Sequence, residues 1–287
     1  MKRKILLISF LTVSLGAYAQ TDYAYKTFDD TRVVNGHSVE TNVEGIMTFI
    51  ISHRFGALNS GFYNAWGLDA ASMRMGLDYG ITNNLSIGIG RSTYEKTIDG
   101  FLKFKLLSQS SGDRVFPFSV TLLGTSAYKA LRKRDGIVLR TLHRFSYTGQ
   151  LLIARKFGSR VSLQVMPTFL HRNLVQDIEE NDIFSLGMAG QFHFLKNWSI
   201  SLEYYATPSS YLPEGENPET GEEYYQSLAI GIQIDTKGHV FQLQFGNSRG
   251  MIEKFFIAET FDSWLDGGIH FGFNITRDFK VKGRKIR

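Results

Sequence analysis

The stretch Ser72-Met73-Arg74-Met75-Gly76-Leu77-Asp78-Tyr79-Gly80-Ile81 decides the fold, because apolar residues alternate in it with small or charged ones. Successive side chains of a β-strand point to opposite faces of the sheet. This alternation therefore predicts a strand with one apolar face and one polar face.

The same alternation recurs through most of the chain, for example in residues 228–235 and 267–276. Small residues, Gln, Asn and scattered charges occupy the polar face, as the wet lumen of a barrel prefers. The sequence therefore predicts an all-β protein, an antiparallel transmembrane β-barrel of the outer-membrane type, although a soluble sandwich also alternates. We expect about twelve strands, near residues 46–55, 70–81, 85–94, 97–107, 117–127, 144–157, 161–171, 183–195, 198–207, 225–235, 239–247 and 267–276.

The lengths of the predicted connections give an independent indication of a barrel. Outer-membrane barrels alternate tight periplasmic turns with longer outer loops. Short links occur at residues 82–84, 158–160, 196–197 and 236–238. Longer ones occur at 56–69, 128–143, 172–182, 208–224 and 248–266. Two links break the rule, since 95–96 is too short and 108–116 too long, and a strand miscount is the alternative there.

The N-terminus predicts export. Residues 1–19 combine a basic start, an apolar run from Ile5 to about Leu15 and the small-x-small end Ala17-Tyr18-Ala19, which predict a cleaved signal peptide and a mature N-terminus at Gln20. A membrane anchor is the alternative, but the run is shorter than the roughly 20 residues that span a bilayer. We therefore divide the chain into a signal peptide (1–19), a periplasmic N-terminal segment (20–45), the β-barrel (46–279) and a basic periplasmic tail (280–287), and expect it in the cell outer membrane of a Gram-negative bacterium.

Composition excludes several function classes. The chain of 287 residues has no Cys, so a disulfide framework and thiolate chemistry are absent. Its 23 Phe, 13 Tyr and only 5 Pro favour strands. The net charge of +5 falls to about +2 when Lys2, Arg3 and Lys4 leave with the signal peptide, and basic residues crowd the tail. Nucleic acid binding has no support.

Four short stretches carry a family resemblance: Ile51-Ser52-His53-Arg54-Phe55-Gly56, Met75-Gly76-Leu77-Asp78-Tyr79-Gly80-Ile81, Gly88-Ile89-Gly90-Arg91-Ser92 and Phe271-Gly272-Phe273-Asn274-Ile275. The sequence resembles a β-barrel family of Bacteroidota outer membranes whose domain is of unknown function. The resemblance spans most of the mature chain and implies a barrel, but it transfers no mechanism and no functional residue. Because polar residues follow Phe279, we expect the outer-membrane insertion machinery to read residues 271–279.

Seven charged residues share the parity of the polar face and are the candidate lumen-facing residues. They could line a pore or bind a polar solute, or they could pair with one another and simply fill the barrel. Arg74 with Asp78, on one strand, is the pair that we expect. The candidates are Arg74, Asp78, Asp99, Lys103, Lys105, Glu203 and Asp235.

No motif predicts catalysis or a cofactor. The His residues lack the spacing of a metal motif, although His53 and His270 could approach each other where the first and last strands pair. A Gly-x-Ser-x-Gly nucleophile elbow is absent. We expect no catalytic residue, no metal and no cofactor, and hence a protein that is not an enzyme.

Three functional hypotheses follow. The first is a narrow channel or binding barrel for a small polar solute, because the lumen face is charged and one end is elaborated. The second is a structural or assembly partner that uses residues 20–45 or 280–287. The third is an outer-membrane enzyme with a site at the rim. In all three, outer-membrane lipid and the insertion machinery are the expected partners, with a small polar solute in the first.

Overall fold

Twelve antiparallel strands close into one barrel in the computed structural model, which describes residues 21–24, 26–131, 140–213, 215–216, 221, 223–236 and 238–281. Each strand pairs with its neighbour in sequence, and the last pairs with the first. The strands are β1 (Ile46–Ala57), β2 (Ala71–Thr82), β3 (Leu85–Ser92), β4 (Thr97–Leu107), β5 (Ser119–Lys129), β6 (Phe145–Phe157), β7 (Val161–Arg172), β8 (Asp182–Leu195), β9 (Trp198–Ala206), β10 (Leu228–Thr236), β11 (His239–Gly246) and β12 (His270–Lys280). The predicted fold class is confirmed, with β12 extending beyond its predicted end.

The two ends of the barrel differ. One, the short-turn end, carries the links 83–84, 158–160, 196–197 and 237–238, and the other, the loop-rich end, carries five longer connections. The two exceptions are real rather than a strand miscount. Residues 93–96 form a tight link at the loop-rich end, while the long link 108–118 carries Ser110–Ser111, which pairs with Asp22–Tyr23. The extra length of that link therefore holds the N-terminal part of the chain.

Alternation along the strands sets the two faces. On β2 the odd-numbered Met75 and Leu77 are exposed on the outside, whereas Arg74 and Asp78 are buried inside. The outer face is rich in Leu, Ile and Phe on every side of the barrel, as contact with lipid requires. Among the described residues, no helix is long and apolar enough to cross a membrane.

The lumen is filled by the chain itself. Residues 27–42, the luminal segment, enter from the short-turn end and are largely buried. From the loop-rich end, the connection between β11 and β12 folds inward and carries the helix α1 (Glu253–Ala258). Phe28, Val33, Val34 and Val39 of the segment share one apolar core with Phe256 and Ile257 of α1 and with wall residues such as Leu152, Met166 and Tyr205.

The position of the luminal segment differs from the periplasmic location that the sequence predicts. Residues 20–45 were expected outside the barrel, but 27–42 lie within it because four apolar side chains of the segment find their core there. The segment lacks strand or helix periodicity, so its sequence gave no sign of a lumen position. The predicted signal peptide, the N-terminus at Gln20 and the tail from residue 282 onward lie outside the described residues.

The outer face gives a direct test of the lipid boundary. Leu202 lies in the middle of β9 with 49% of its surface exposed. We expect Leu202→Arg to cost about 2 to 4 kcal/mol of folding free energy, because a charge at mid-bilayer depth is poorly solvated. Urea unfolding in lipid vesicles measures this, with Leu202→Met as the control that keeps an apolar side chain. Equal stability of the two variants would contradict the lipid-facing assignment.

Candidate functional site

The luminal segment turns back on itself as a small hairpin. The Val33 N–H donates to the Gly36 carbonyl at 2.9 Å, and the Ser38 N–H donates to the Thr31 carbonyl at 3.0 Å. Most of its other backbone groups have no partner within the segment. Since a buried backbone group without a hydrogen bond is costly, the wall of the barrel has to supply the partners.

Lys103 is the main donor from the wall. This residue of β4 is 1% exposed, and its Nζ donates to the carbonyls of Thr31 at 3.1 Å, Ser38 at 3.1 Å and Glu40 at 2.8 Å. An ammonium group has three donors, so this arrangement satisfies all of them. Lys103 therefore binds the segment and does not face an open pore.

Glu203 is the matching acceptor on β9. Its carboxylate accepts hydrogen bonds from the N–H of Val34 at 3.2 Å and of Gly36 at 3.0 Å. The approach at Gly36 is close, since a Cβ there would lie 2.5 Å from the hydroxyl oxygen of Tyr205. Only glycine fits without a shift of the wall, so the hairpin tip is tightly matched to β9.

Arg74 does not pair with Asp78 as expected. Its guanidinium instead forms a two-point ion pair with Asp99 of β4, with Nε 2.9 Å from Oδ1 and a second contact through Nη2. Asp78 lies 3.9 Å from Arg32 of the luminal segment. The alignment of β2, β3 and β4 brings Arg74 next to Asp99. The spacing of residues along one strand cannot predict this contact.

The last two candidates lie nearer the short-turn end. Lys105 forms an ion pair with Glu40 of the luminal segment at 3.0 Å. Asp235 is partly exposed close to the end of β10. Of the seven candidates, Asp78, Lys103, Lys105 and Glu203 thus contact the luminal segment, Arg74 and Asp99 pair with each other, and Asp235 is separate.

Neutral amide side chains of the wall also bind the luminal segment, and the sequence analysis did not identify them. Gln164 donates to the His37 carbonyl at 2.8 Å, Gln242 to the Val33 carbonyl at 2.7 Å and Asn274 to the Val34 carbonyl at 3.0 Å. All three share the parity of the polar face. Their position on the polar face could have identified them, but only the charged residues of that face were selected as candidates.

The segment and α1 meet in the middle of the barrel. His37 Nε2 lies 3.8 Å from a carboxylate oxygen of Glu253. Burial, together with the nearby charges of Arg32, Lys103 and Arg74, lowers the pKa of His37 well below its usual range. Burial likewise raises the pKa of Glu253. Both shifts disfavour the charged forms of the two groups, so burial opposes the formation of an ion pair at this contact.

A charged network fixes α1 at the loop-rich end. Lys254 lies 2.9 Å from Glu95 and 3.2 Å from Glu259, and Arg172 lies 3.4 Å from Glu259. Although burial lowers the pKa of Lys254, the two carboxylates outweigh it and raise the pKa overall. The helix is therefore tied to the rim at β7 and at the link between β3 and β4.

The loop-rich end contains a cavity of about 490 Å³, the vestibule. Arg249 reaches into it, and its Nε donates to the Ser72 hydroxyl at 3.1 Å while the guanidinium lies 5.6 Å from the ring of Tyr94. Within the described residues Arg249 has no carboxylate partner. The lining residues are Gly56, Ala57, Ser60, Asn64, Gly67, Asp69, Ala70, Tyr94, Arg249, Glu259, Phe261, Asp262 and His270.

The acidic residues of the vestibule differ in their partners. Asp262 lies 2.8 Å from Nε2 of His270, and Glu259 is paired with Lys254 and Arg172. Asp69 is exposed at the rim. Among the described residues that line the vestibule, Arg249 is therefore the cation without a carboxylate partner.

The possible pairing of His53 with His270 at a metal is wrong. His53 faces outward and stacks on Phe273, with ring centroids 5.1 Å apart, whereas His270 faces inward, with Nδ1 2.8 Å from the Phe55 carbonyl oxygen. The two side chains are on opposite faces of the sheet. In the part of the chain that the structure describes, no cluster of His, Asp and Glu could hold a metal ion.

The family follows from the sequence over the whole barrel. Residues 28–279 match the family described as a membrane bound beta barrel domain, DUF5777. The chain belongs to this family. It is therefore a membrane-bound β-barrel, and the matched region includes the luminal segment of this barrel domain as well as its strands. The Bacteroidota origin stays a prediction.

Solved structures resemble the barrel domain at low identity. The KdgM porin is 7% identical, with a TM-score of 0.46 over 82% of this chain and 99% of that chain. Outer membrane phospholipase A from Escherichia coli is 12% identical, with a TM-score of 0.42 over 80% and 89%. OmpF of Salmonella typhi, solved in a complex with daunomycin, is 9% identical, with a TM-score of 0.40 over 82% and 97%. No curated protein matches the chain.

The anchoring of the luminal segment is testable at Lys103. We expect Lys103→Met to destabilise the seated segment by about 2 kcal/mol, because three buried carbonyls lose a charged donor. This corresponds to a roughly 30-fold larger open population. Hydrogen–deuterium exchange of residues 27–42 measures it. Lys105→Met, which removes only one partly buried ion pair, is the control and should change exchange less; equal effects would contradict the special role of Lys103.

Proposed function

We propose that this protein is an outer-membrane barrel that binds a small polar solute carrying an anionic group in its vestibule. The observation that carries the proposal is Arg249, which lines a cavity of about 490 Å³ and has no carboxylate partner among the described residues. A guanidinium presents several donors in a fixed plane that matches a carboxylate or a phosphate. Binding at the rim is therefore better supported than free passage through the lumen.

The filled lumen supports a closed resting state. Four of the charges that could have lined a pore instead contact the luminal segment, and the cavities near His37 and Asp30 hold only about 10 Å³ each. A space of that size accepts about one water molecule. Passage of a solute would require the segment to leave its seat.

The vestibule supports a binding role over an enzymatic one. Both ring nitrogens of His270 are engaged, one with Asp262 and the other with the Phe55 carbonyl. A general base needs a free nitrogen that faces its nucleophile. Our proposal is therefore non-enzymatic and requires no cofactor.

The proposal assigns the loop-rich end to the cell exterior. Long loops mark the outer side of outer-membrane barrels and short turns the periplasmic side. We also propose that residues 1–19 are the signal peptide through which the protein is exported. A solute would then reach Arg249 directly from outside the cell.

The closed lumen predicts how the protein conducts ions in a bilayer. Purified protein in planar bilayers should show no steady open pore, since the segment and α1 block the lumen. Lys103→Met combined with Glu203→Gln should increase the frequency of brief openings, because both anchors of the hairpin are weakened. A wide, continuously open pore in the unmodified protein would contradict the proposal.

The charge of the vestibule can be measured because the chain contains no Cys. We introduce Asn64→Cys inside the vestibule and compare its reaction with anionic and cationic thiosulfonates. Arg249→Gln should lower the anionic-to-cationic rate ratio about tenfold, since a unit charge roughly 6 Å away changes the energy of each reagent by about 0.7 kcal/mol even in water, with opposite sign for the two.

Two controls complete this experiment. Arg249→Lys keeps the charge and should keep the ratio, while Tyr63→Cys, on a residue that is 93% exposed outside the vestibule, should not respond to Arg249→Gln. An unchanged ratio at residue 64 would refute the anionic preference. Failure of both reagents to react there would refute an accessible vestibule.

A further inference from the structure

A groove of about 650 Å³ runs along the lipid-facing side of β5 to β8, in the half near the loop-rich end. Its floor is low because Gly149 of β6 and its cross-strand partner Gly124 of β5 carry no side chain. A Cβ at either position would meet no atom within 4 Å. The space above these glycines is therefore open to the membrane.

The walls of the groove are apolar. Leu122 and Leu151 flank it on one side, and Phe169, Phe184 and Leu186 on the other. All five belong to the outward parity, which contacts lipid in a membrane-bound barrel. The occupant that this chemistry fits is an acyl chain.

Basic side chains lie at the upper end of the groove. Arg140 and His143 are exposed, and Arg144 donates through Nη1 to the carbonyls of Lys129 at 3.0 Å and Leu131 at 2.8 Å. Within the described residues none of the three has a carboxylate partner. Two guanidinium groups and an imidazole at one rim position offer charged and neutral donors to a headgroup that carries more than one negative charge.

The distance between groove and basic residues suits one lipid molecule. Gly149 lies four residues below Phe145, the first residue of β6, which is roughly 13 Å along the strand. Phe145 stacks near Tyr128 and Tyr147, with centroids 5.1 Å and 6.1 Å away. Aromatic girdles mark the level of the headgroups. The basic residues therefore lie at phosphate level and the groove lies at acyl-chain level.

We propose that this surface binds a lipid of the lipid A type, with acyl chains in the groove and its two phosphates on Arg140, His143 and Arg144. Two guanidinium groups match a diphosphorylated headgroup better than the single phosphate of phosphatidylglycerol. The site is on the outside of the barrel, so it is independent of the vestibule and of its solute.

Native mass spectrometry of the full-length protein in detergent tests the proposal, with lipid A and phosphatidylglycerol as the added lipids. We expect one bound lipid A and at least tenfold weaker binding of phosphatidylglycerol. Equal binding of the two lipids would overturn the assignment of the headgroup.

Two pairs of variants separate the parts of the site. Gly149→Leu, which fills the groove, should weaken lipid A binding at least tenfold, while Gly100→Leu, on the lipid face of β4 outside the groove, should not. Arg140→Gln with His143→Gln should reduce the preference for lipid A over phosphatidylglycerol, whereas Arg114→Gln at the short-turn end should leave it unchanged.

Folding of each variant is checked by its migration on gels with and without heating. If Gly149→Leu fails to fold, Gly149→Val takes its place, since it fills less of the groove. Unchanged lipid A binding in a folded Gly149 variant would overturn the groove as the site, and an unchanged preference in the Arg140 and His143 variant would overturn the basic residues as its headgroup contact.

Discussion

The need to satisfy every buried backbone hydrogen-bonding group governs this molecule on both sides of its wall. In lipid, a sheet has no water to bond its edges, so β12 must pair with β1 and close the barrel. Inside, the luminal segment has little regular structure, and several of its carbonyls and amides have their partners on the wall. Lys103, Glu203 and the amides of Gln164, Gln242 and Asn274 meet that requirement.

Because of this requirement, polar residues in the lumen have a different role from that of residues that line a pore. Charges on the inner face of a barrel are often discussed as selectivity elements of a pore. Here Lys103 and Glu203 bind backbone groups, and Arg74 pairs with Asp99. The inner face therefore resembles the polar interior of a folded protein. The proposed function therefore places ligand chemistry at the loop-rich end, where Arg249 has no carboxylate partner among the described residues.

Alternation in the sequence predicts the strands, their faces and the shape of the two barrel ends, because a pleated strand with lipid on one side has a strict period of two. The partners of individual side chains cannot be predicted from this alternation. Arg74 was matched with Asp78 along one strand, yet strand stagger brings it to Asp99 of β4. Residues 27–42 have no period at all, so their burial depends on a fit to the wall, such as that of Gly36 against Tyr205, which only three dimensions reveal.

The seating of the luminal segment also constrains the order in which the protein folds. The segment precedes β1 in the chain, yet Val34 contacts Asn274 of β12, which is 240 residues later. Contacts between such distant residues form slowly, because the long intervening chain must first be ordered. A hairpin that contacts β4, β9 and β12 this closely has little space to enter a barrel that is already closed. Because Asn274 belongs to the last strand, the contacts that hold the segment are complete only once β12 is in place.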